Sequence, residues 1–149
     1  MIRTLVVLLC TLSLAGAADF YGTWKMNIAK SKYVGVPTPK EQTVTYTAKG
    51  SGYDYSAVGK SATGEEVKSS FTYVKDGEEI KVTGFPYWDA IVLKNGTTAK
   101  TNGKLMRGGK QIGTVSRTLS ADGKTITINA KLTLSDGKPA SYNVHYDKQ

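Results

Sequence analysis

Apolar and polar residues alternate along most of this 149-residue chain with a period of two. In the first such segment, Trp24, Met26 and Ile28 fall on one side, and Lys25 and Asn27 fall on the other. Such alternation is typical of β-strands with one buried and one solvated face. It recurs near residues 44–48, 53–57, 71–73, 80–82, 115–119, 126–134 and 142–146, and residues 88–93 form an apolar run interrupted by Asp89. The pattern therefore predicts nine or ten strands.

Turn-forming residue pairs separate these segments at intervals of about a strand and a turn. Asp76-Gly77, Asn95-Gly96 and Asp122-Gly123 are examples, and Gly, Asn and Asp tolerate the positive φ of tight hairpins. Consecutive strands joined in this way form a meander, and closure of the meander removes its two free edges. The sequence therefore predicts an all-β fold, a single antiparallel up-and-down meander β-barrel of 8–10 strands. A two-sheet sandwich is the alternative.

Two regions of the meander allow more than one interpretation. Residues 29–41 contain Pro37 and Pro39 and predict the one long loop, whose first part could hold at most a turn or two of helix. Residues 97–110 contain two turn signals close together, Asn102-Gly103 and Gly108-Gly109. Either a strand is bulged at Gly103, or the hairpins there are very short.

Residues 1–18 have the three parts of a signal peptide. Arg3 gives a positive start, residues 5–14 are apolar, and residues 15–18 (Ala-Gly-Ala-Ala) are small enough for signal peptidase. The apolar run is about half the roughly 20 residues that a membrane-spanning helix needs. We therefore expect a signal peptide over 1–18, a single barrel domain over 19–149, export to the periplasm or the medium, and no integral membrane span. A retained anchor or a first core strand is the alternative.

The single cysteine, Cys10, lies in the predicted leader. Leu9 stands before it, where a lipoprotein signal has a small residue, so lipid attachment is not expected. The mature chain would then have no cysteine, and therefore no disulfide, thiolate nucleophile or cysteine metal site.

Charge and motifs give no sign of nucleic-acid binding or catalysis. The formal net charge is +8, but the lysines are scattered without a long run of like charge, which indicates a solvated surface rather than a nucleic-acid interface. No catalytic motif, histidine cluster or phosphate-binding loop is recognisable. We therefore expect no enzyme activity, no metal and no cofactor, and we expect the protein to be a monomer.

The segment Gly22-Thr23-Trp24-Lys25 opens the predicted barrel. It resembles the opening of the lipocalin and fatty-acid-binding-protein (calycin) superfamily, and with residues 29–31 (Ala-Lys-Ser) it is similar to bacterial lipocalin-like secreted proteins. The resemblance implies a lipocalin-like barrel in which Gly22 and Trp24 are a structural motif. Trp24 would pack across the closed end, often under an Arg or Lys from a late strand. The Arg-x-Tyr pair that binds carboxylates in the fatty-acid branch corresponds here to Val144 and Tyr146, so its Arg is missing.

Arg117 lies two residues from both Val115 and Leu119, so it falls on the same face of its strand (it has the same parity). This predicts that Arg117 faces the barrel interior. It would either anchor an anionic ligand head or serve as a structural cation that stacks on Trp24 or pairs with an acid at the barrel end. A register shift would instead place it in solvent. The same parity directs a set of aromatic side chains inward, where they would line a ligand cavity or fill the core: Tyr53, Tyr55, Phe71, Tyr73, Trp88, Tyr142 and Tyr146.

These residues lead to alternative functions. The first is binding of a small hydrophobic or amphiphilic ligand inside the barrel, with Arg117 and the seven inward aromatics as ligand-binding residues. The alternative is a filled barrel that acts through its surface, as an inhibitor or a protein-interaction module of the cell envelope. A haem or enzyme function would need His145 inside the barrel, but its parity is opposite to that of Val144 and Tyr146 and predicts a surface position.

Overall fold

The computed structural model describes residues 19–149, and the predicted signal peptide, residues 1–18, lies outside the described residues. In the described part the chain forms ten strands: β1 (Gly22–Val34), β2 (Glu41–Lys49), β3 (Gly52–Lys60), β4 (Glu66–Tyr73), β5 (Glu79–Lys81), β6 (Ala90–Lys94), β7 (Lys100–Arg107), β8 (Lys110–Leu119), β9 (Thr125–Thr133) and β10 (Pro139–Lys148). All paired strands are antiparallel, in the order β4-β3-β2-β1-β10-β9-β8-β7-β6-β5. The predicted all-β, up-and-down meander is confirmed. Residues 19–149 contain no helix of the length and apolarity needed to cross a membrane.

The two edges of the sheet, β4 and β5, approach each other and nearly close the barrel. They are joined by one pair of residues, Ser70 and Thr83, whose backbone N–H groups each donate to the other's carbonyl at 2.9 Å. Gly84 follows with φ of 80° and crosses so near β4 that a Cβ there would lie 1.8 Å from the Lys68 carbonyl oxygen. We call this junction the seam.

Alternation along the strands places the apolar residues inside. On β3, for example, Tyr53 and Ala57 are buried, whereas Ser56 and Val58 on the opposite face are exposed. Because the strands run up and down, their connections divide between two ends. One end of the barrel, which we call the floor, holds the start of β1, the end of β10 and the turns at 50–51, 74–78, 95–99 and 120–124. The opposite end, which we call the mouth, holds the connections at 35–40, 61–65, 82–89, 108–109 and 134–138.

The first strand departs from the sequence prediction. β1 continues to Val34 through a bulge, because its register against β10 shifts between Asn27 and Lys32. The long loop predicted over 29–41 is therefore wrong, and the loop is only 35–40. The bulge also ends the simple alternation, so Ile28 is 47% exposed rather than inward. The Ser31 hydroxyl donates to the Asn27 carbonyl and accepts from the His145 N–H, which satisfies backbone groups that the bulge would otherwise leave open.

The second ambiguous region is also resolved. Gly103 lies within β7 and pairs directly with Val115, so a turn at Asn102-Gly103 is wrong. The bulge in this hairpin lies elsewhere: Leu105 pairs with Gly113 and Met106 with Gln111, which leaves Ile112 as the extra residue. Gly103 is instead a place of close packing, since a Cβ there would lie 2.8 Å from the Leu93 side chain.

Candidate ligand-binding cavity

The barrel encloses a cavity of about 460 Å³ that extends from the floor to the mouth. Its upper rim is formed by the connections 35–40, 61–65 and 82–89, which include Val36, Thr63 and Pro86. Its walls are mostly aliphatic and aromatic side chains on the inward faces of the strands. The interior is therefore hollow, which the sequence could not settle.

Arg117 lies at the floor of this cavity and is 5% exposed. Its Nη2 donates to the Thr101 hydroxyl at 2.8 Å and to the Gly96 carbonyl at 2.9 Å. Its Nη1 lies 3.4 Å from the Tyr53 hydroxyl, and the guanidinium carbon stands 3.7 Å from the centre of the Phe20 ring. Arg117 Nε is buried without a hydrogen-bond partner. The planar group is thus held between a ring and neutral oxygen atoms.

The Arg117 charge has no carboxylate partner among residues 19–149. The five ion pairs in this part of the chain all join exposed side chains on the surface, such as Lys49 with Asp54 and Lys60 with Glu41. The aromatic ring nearest to Arg117 is that of Phe20, and the predicted stacking on Trp24 does not occur. A buried cation without an anion is costly, so the floor is electrostatically suited to accept a negative group.

Gly22 and Trp24, the two residues of the predicted structural motif, also lie at the floor. Trp24 is completely buried, its indole N–H donates to the Phe20 carbonyl at 2.9 Å, and the Lys148 ammonium lies 5.5 Å from its ring centre. Gly22 has φ of 116°, a conformation that side chains disfavour, and it leaves room for Lys148 to reach over the strand. Lys148 is thus the late-strand cation at Trp24.

The tyrosines of the cavity wall are held in their neutral form. Burial raises the pKa of Tyr55 and Tyr146 well above the usual value, and it raises the pKa of Tyr142 to about 12. Burial also raises the pKa of Tyr46, although the nearby Arg117 partly opposes that rise. These hydroxyls therefore offer hydrogen bonds without adding negative charge to the cavity.

Seven of the eight predicted ligand-binding residues line the cavity: Arg117, Tyr53, Tyr55, Phe71, Trp88, Tyr142 and Tyr146. Whether they hold a ligand stays a prediction. Tyr73 does not line the cavity and belongs instead to the filled part of the core. It faces inward near the end of β4 but lies in the floor, where its hydroxyl donates to Asp76 at 2.8 Å and its ring is covered by Gly96.

Several cavity residues were missed by the sequence prediction. Tyr33 lies beyond the β1 bulge, in the segment expected to be a loop, so its parity could not be read. Phe85 belongs to the 82–89 connection, where no alternation exists to predict an inward side chain. The only available signal was an aromatic residue between Gly84 and Pro86, which is weak on its own.

The other candidate residues lie outside the cavity. His145 is on the outer face, where its Nδ1 lies 3.3 Å from the Thr127 hydroxyl. Asp89 is exposed and its carboxylate accepts the Gly108 N–H at 3.0 Å, which braces the mouth-end turn between β7 and β8. Within residues 19–149, no group of three His, Cys, Asp or Glu side chains comes close enough to hold a metal ion.

No family model matches the chain, and no curated protein sequence matches it significantly.

Proposed function

We propose that this protein binds a small hydrophobic or amphiphilic molecule inside its barrel. The observation that carries the proposal is the hollow interior, about 460 Å³ in volume, with apolar walls and the buried Arg117 guanidinium at its floor. Small-ligand sites in proteins commonly occupy about 300–1,000 Å³ and combine apolar walls with a few polar groups. A barrel that acted only through its surface would have no need of such a space.

Arg117 gives the bound molecule a direction. A negative head group at the floor would neutralise a cation that has no carboxylate partner, and the apolar body would then extend toward the mouth. The Gly96 carbonyl and the Phe20 ring already fix the guanidinium plane, so little ordering would be needed on binding. We therefore infer that an amphiphile with an anionic or strongly accepting head is preferred over a neutral hydrocarbon.

The same proposal includes export and family. Residues 1–18 have the pattern of a cleavable signal peptide, which would release a monomeric barrel into the periplasm or the medium. The ten-stranded meander and the buried Trp24 under Lys148 support membership of the calycin superfamily. A carrier of this kind would protect an apolar molecule from water between membranes or outside the cell.

Native mass spectrometry of the protein purified from its own cell envelope tests the proposal. We expect a bound mass of a small amphiphile, released on denaturation, and loss of that mass in Arg117→Gln. The matched control is Arg107→Gln, because Arg107 lies near the mouth, outside the cavity lining, and its Nη1 donates to the Tyr87 carbonyl. A clean apo mass, together with no thermal stabilisation by a broad panel of lipids and small amphiphiles, would overturn the proposal and favour a function of the outer surface.

A further inference from the structure

Six aromatic side chains line the cavity above its floor. We call them the aromatic collar, which consists of Tyr33, Tyr55, Phe71, Phe85, Trp88 and Tyr142. The floor half is different, because there the guanidinium of Arg117 is already enclosed by Phe20 and Tyr53. The collar is therefore the part of the wall that the body of a bound molecule would touch.

One side of the collar is a row of stacked rings. Tyr55 and Phe71 are direct cross-strand partners on β3 and β4, with ring centres 4.7 Å apart and planes 12° from parallel. Phe85, from the connection that follows the seam, places its ring 5.9 Å from Tyr55 at 29°. Trp88 comes next, with its ring centre 4.0 Å from that of Phe85 but its plane tilted by 33° rather than stacked. The row thus crosses from the two strands to the mouth connection.

The other side of the collar is a stacked pair. Tyr33 and Tyr142, on β1 and β10, have ring centres 5.6 Å apart and planes at 24°. Trp88 and Tyr142 both line the cavity, so the row and the stacked pair contribute rings to the same space. A molecule in the cavity above the floor is therefore in contact with rings from the row and from the stacked pair.

The collar rings retain free surface although they point inward. Tyr33, Tyr55, Phe71, Phe85 and Tyr142 are only partly buried, and all of them line the cavity. They pack against the buried core and also line the cavity, so they are not fully covered by protein atoms. Another aromatic ring that enters such a site can make offset-stacked or edge-to-face contacts with these side chains.

We propose that the ligand is a planar aromatic anion, whose ring system sits inside the aromatic collar and whose charged group points to Arg117. This inference rests on the proposed function and narrows it to one class of molecule. A rigid planar ring system matches the collar's faces and edges and loses little conformational freedom on binding. A flexible acyl chain would gain similar apolar contact but would lose rotational freedom at each of its bonds.

A matched pair of monoanionic probes tests the inference. The planar probe is 1-pyrenecarboxylate, and the flexible probe is palmitate, which has nearly the same carbon number. Titration calorimetry on the delipidated protein should show 1-pyrenecarboxylate bound at least about tenfold more tightly, a difference that the extra ring contacts and the smaller entropy loss supply. An induced circular-dichroism signal in the pyrene absorption bands should accompany binding, because the probe would be held among asymmetrically placed rings.

Phe85→Leu is the first variant, since Phe85 lies in a connection and not in a strand, so the substitution leaves the sheet hydrogen bonds intact. This substitution should weaken the binding of 1-pyrenecarboxylate by about fivefold to tenfold and the binding of palmitate by less than about twofold. Phe71→Leu gives the same test from within the sheet. The control is Val36→Ala, which also removes apolar wall from a mouth connection but removes no ring, and it should leave the ratio of the two affinities unchanged.

The outcomes separate the two proposals. The planar-aromatic inference would be overturned if palmitate bound as tightly as 1-pyrenecarboxylate, or if Phe85→Leu and Phe71→Leu lowered the affinity for both probes equally. Either result would leave the internal-ligand function in place. Failure of the parent protein to bind either probe, together with an apo mass from the native envelope, would overturn both.

Discussion

At the scale of single residues, Arg117 shows how an inward-facing cation is accommodated in a small barrel. Its planar group donates to the Gly96 carbonyl and the Thr101 hydroxyl while its face covers Phe20. Lysine could not reproduce this arrangement, because an ammonium is a compact charge without a planar fork. The geometry of the group, and not its charge alone, holds the floor together.

We therefore expect Arg117→Lys to lower the free energy of unfolding by about 2–4 kcal/mol, since buried acceptors would lose their donor and a charge would stay buried with fewer bonds. Urea denaturation followed by tryptophan fluorescence measures the change. Arg107→Lys is the control, because Arg107 is only partly buried and should cost about 0.5 kcal/mol or less. An equal stability of Arg117→Lys and the parent protein would show that the guanidinium bonds do not support the floor.

The sequence could predict that Arg117 faces inward, but it could not predict its surroundings. Strand parity depends on neighbouring residues only, and it placed Arg117 with Val115 and Leu119. Its ring partner, Phe20, alternates with Trp24 and is buried as that pattern predicts, but parity along one strand does not show which residues of other segments approach Arg117. The same limit explains Tyr73: parity correctly turned it inward, but its depth along the barrel depends on how the floor turn at 95–99 folds over it.

At the scale of elements, the strands were predictable and their irregularities were not. Alternation over long segments such as β9 and β10 is set by which residues must be buried, so it is visible in one sequence. A bulge changes parity without changing composition, and for this reason Ile28 and Tyr33 were misplaced. Most of the cavity residues that the sequence assigned lie on strands, although Trp88 lies in the 82–89 connection. Tyr33 and Phe85, which it missed, follow a bulge and lie in a connection, respectively.

The seam is the weakest junction between neighbouring strands, and Gly84 controls it. A side chain there would meet the Lys68 carbonyl, so we expect Gly84→Ala to separate β4 from β5 and to lower the free energy of unfolding by about 2–4 kcal/mol. Hydrogen exchange of the Ser70 and Thr83 amides, which bond across the seam, should become markedly faster.

Gly77→Ala provides a matched control for the seam variant. Gly77 has nearly the same φ, 78° against 80° for Gly84, but a Cβ there would meet nothing within 4 Å. It should therefore show only the backbone cost of about 1–2 kcal/mol, with unchanged exchange at Ser70 and Thr83. If the two variants behaved alike, strain in the backbone and not contact across the seam would explain the effect.

At the scale of the whole molecule, acid should loosen the floor, because Asp76 ties two of its turns together. The carboxylate accepts the Gly96 and Asn95 N–H groups and the Tyr73 hydroxyl, and these bonds hold the pKa of Asp76 below its usual value. A lowered pKa in the folded state means that the stabilisation is fully present above the unfolded-state pKa of about 4 and is lost as the pH falls below it. The net charge of +8 becomes more positive over the same range and adds repulsion.

We expect Asp76→Asn to be less stable than the parent by about 1 kcal/mol at pH 7, the scale of hydrogen bonds to an exposed carboxylate, and this difference should shrink as the pH falls from about 4 toward 2. Tyr73→Phe removes one of the three bonds and leaves the carboxylate, so its acid unfolding should begin at higher pH than in the parent. Urea titrations across this pH range measure both effects, and a difference between the parent and Asp76→Asn that did not depend on pH would contradict this account.

The order of the strands also has a consequence for the time at which the protein can fold. Within two groups of strands, β1 to β4 and β5 to β10, each strand pairs with the next one along the chain. The two groups are joined mainly by the pairing of β1 with β10. The alternative join, the seam, has a single residue pair. The partner of the first strand is thus synthesised last, and the contacts that link the two groups span almost the whole chain. Closure of the barrel at the join of β1 with β10 must therefore follow synthesis of β10, and until then β1 lacks one of its two partner strands.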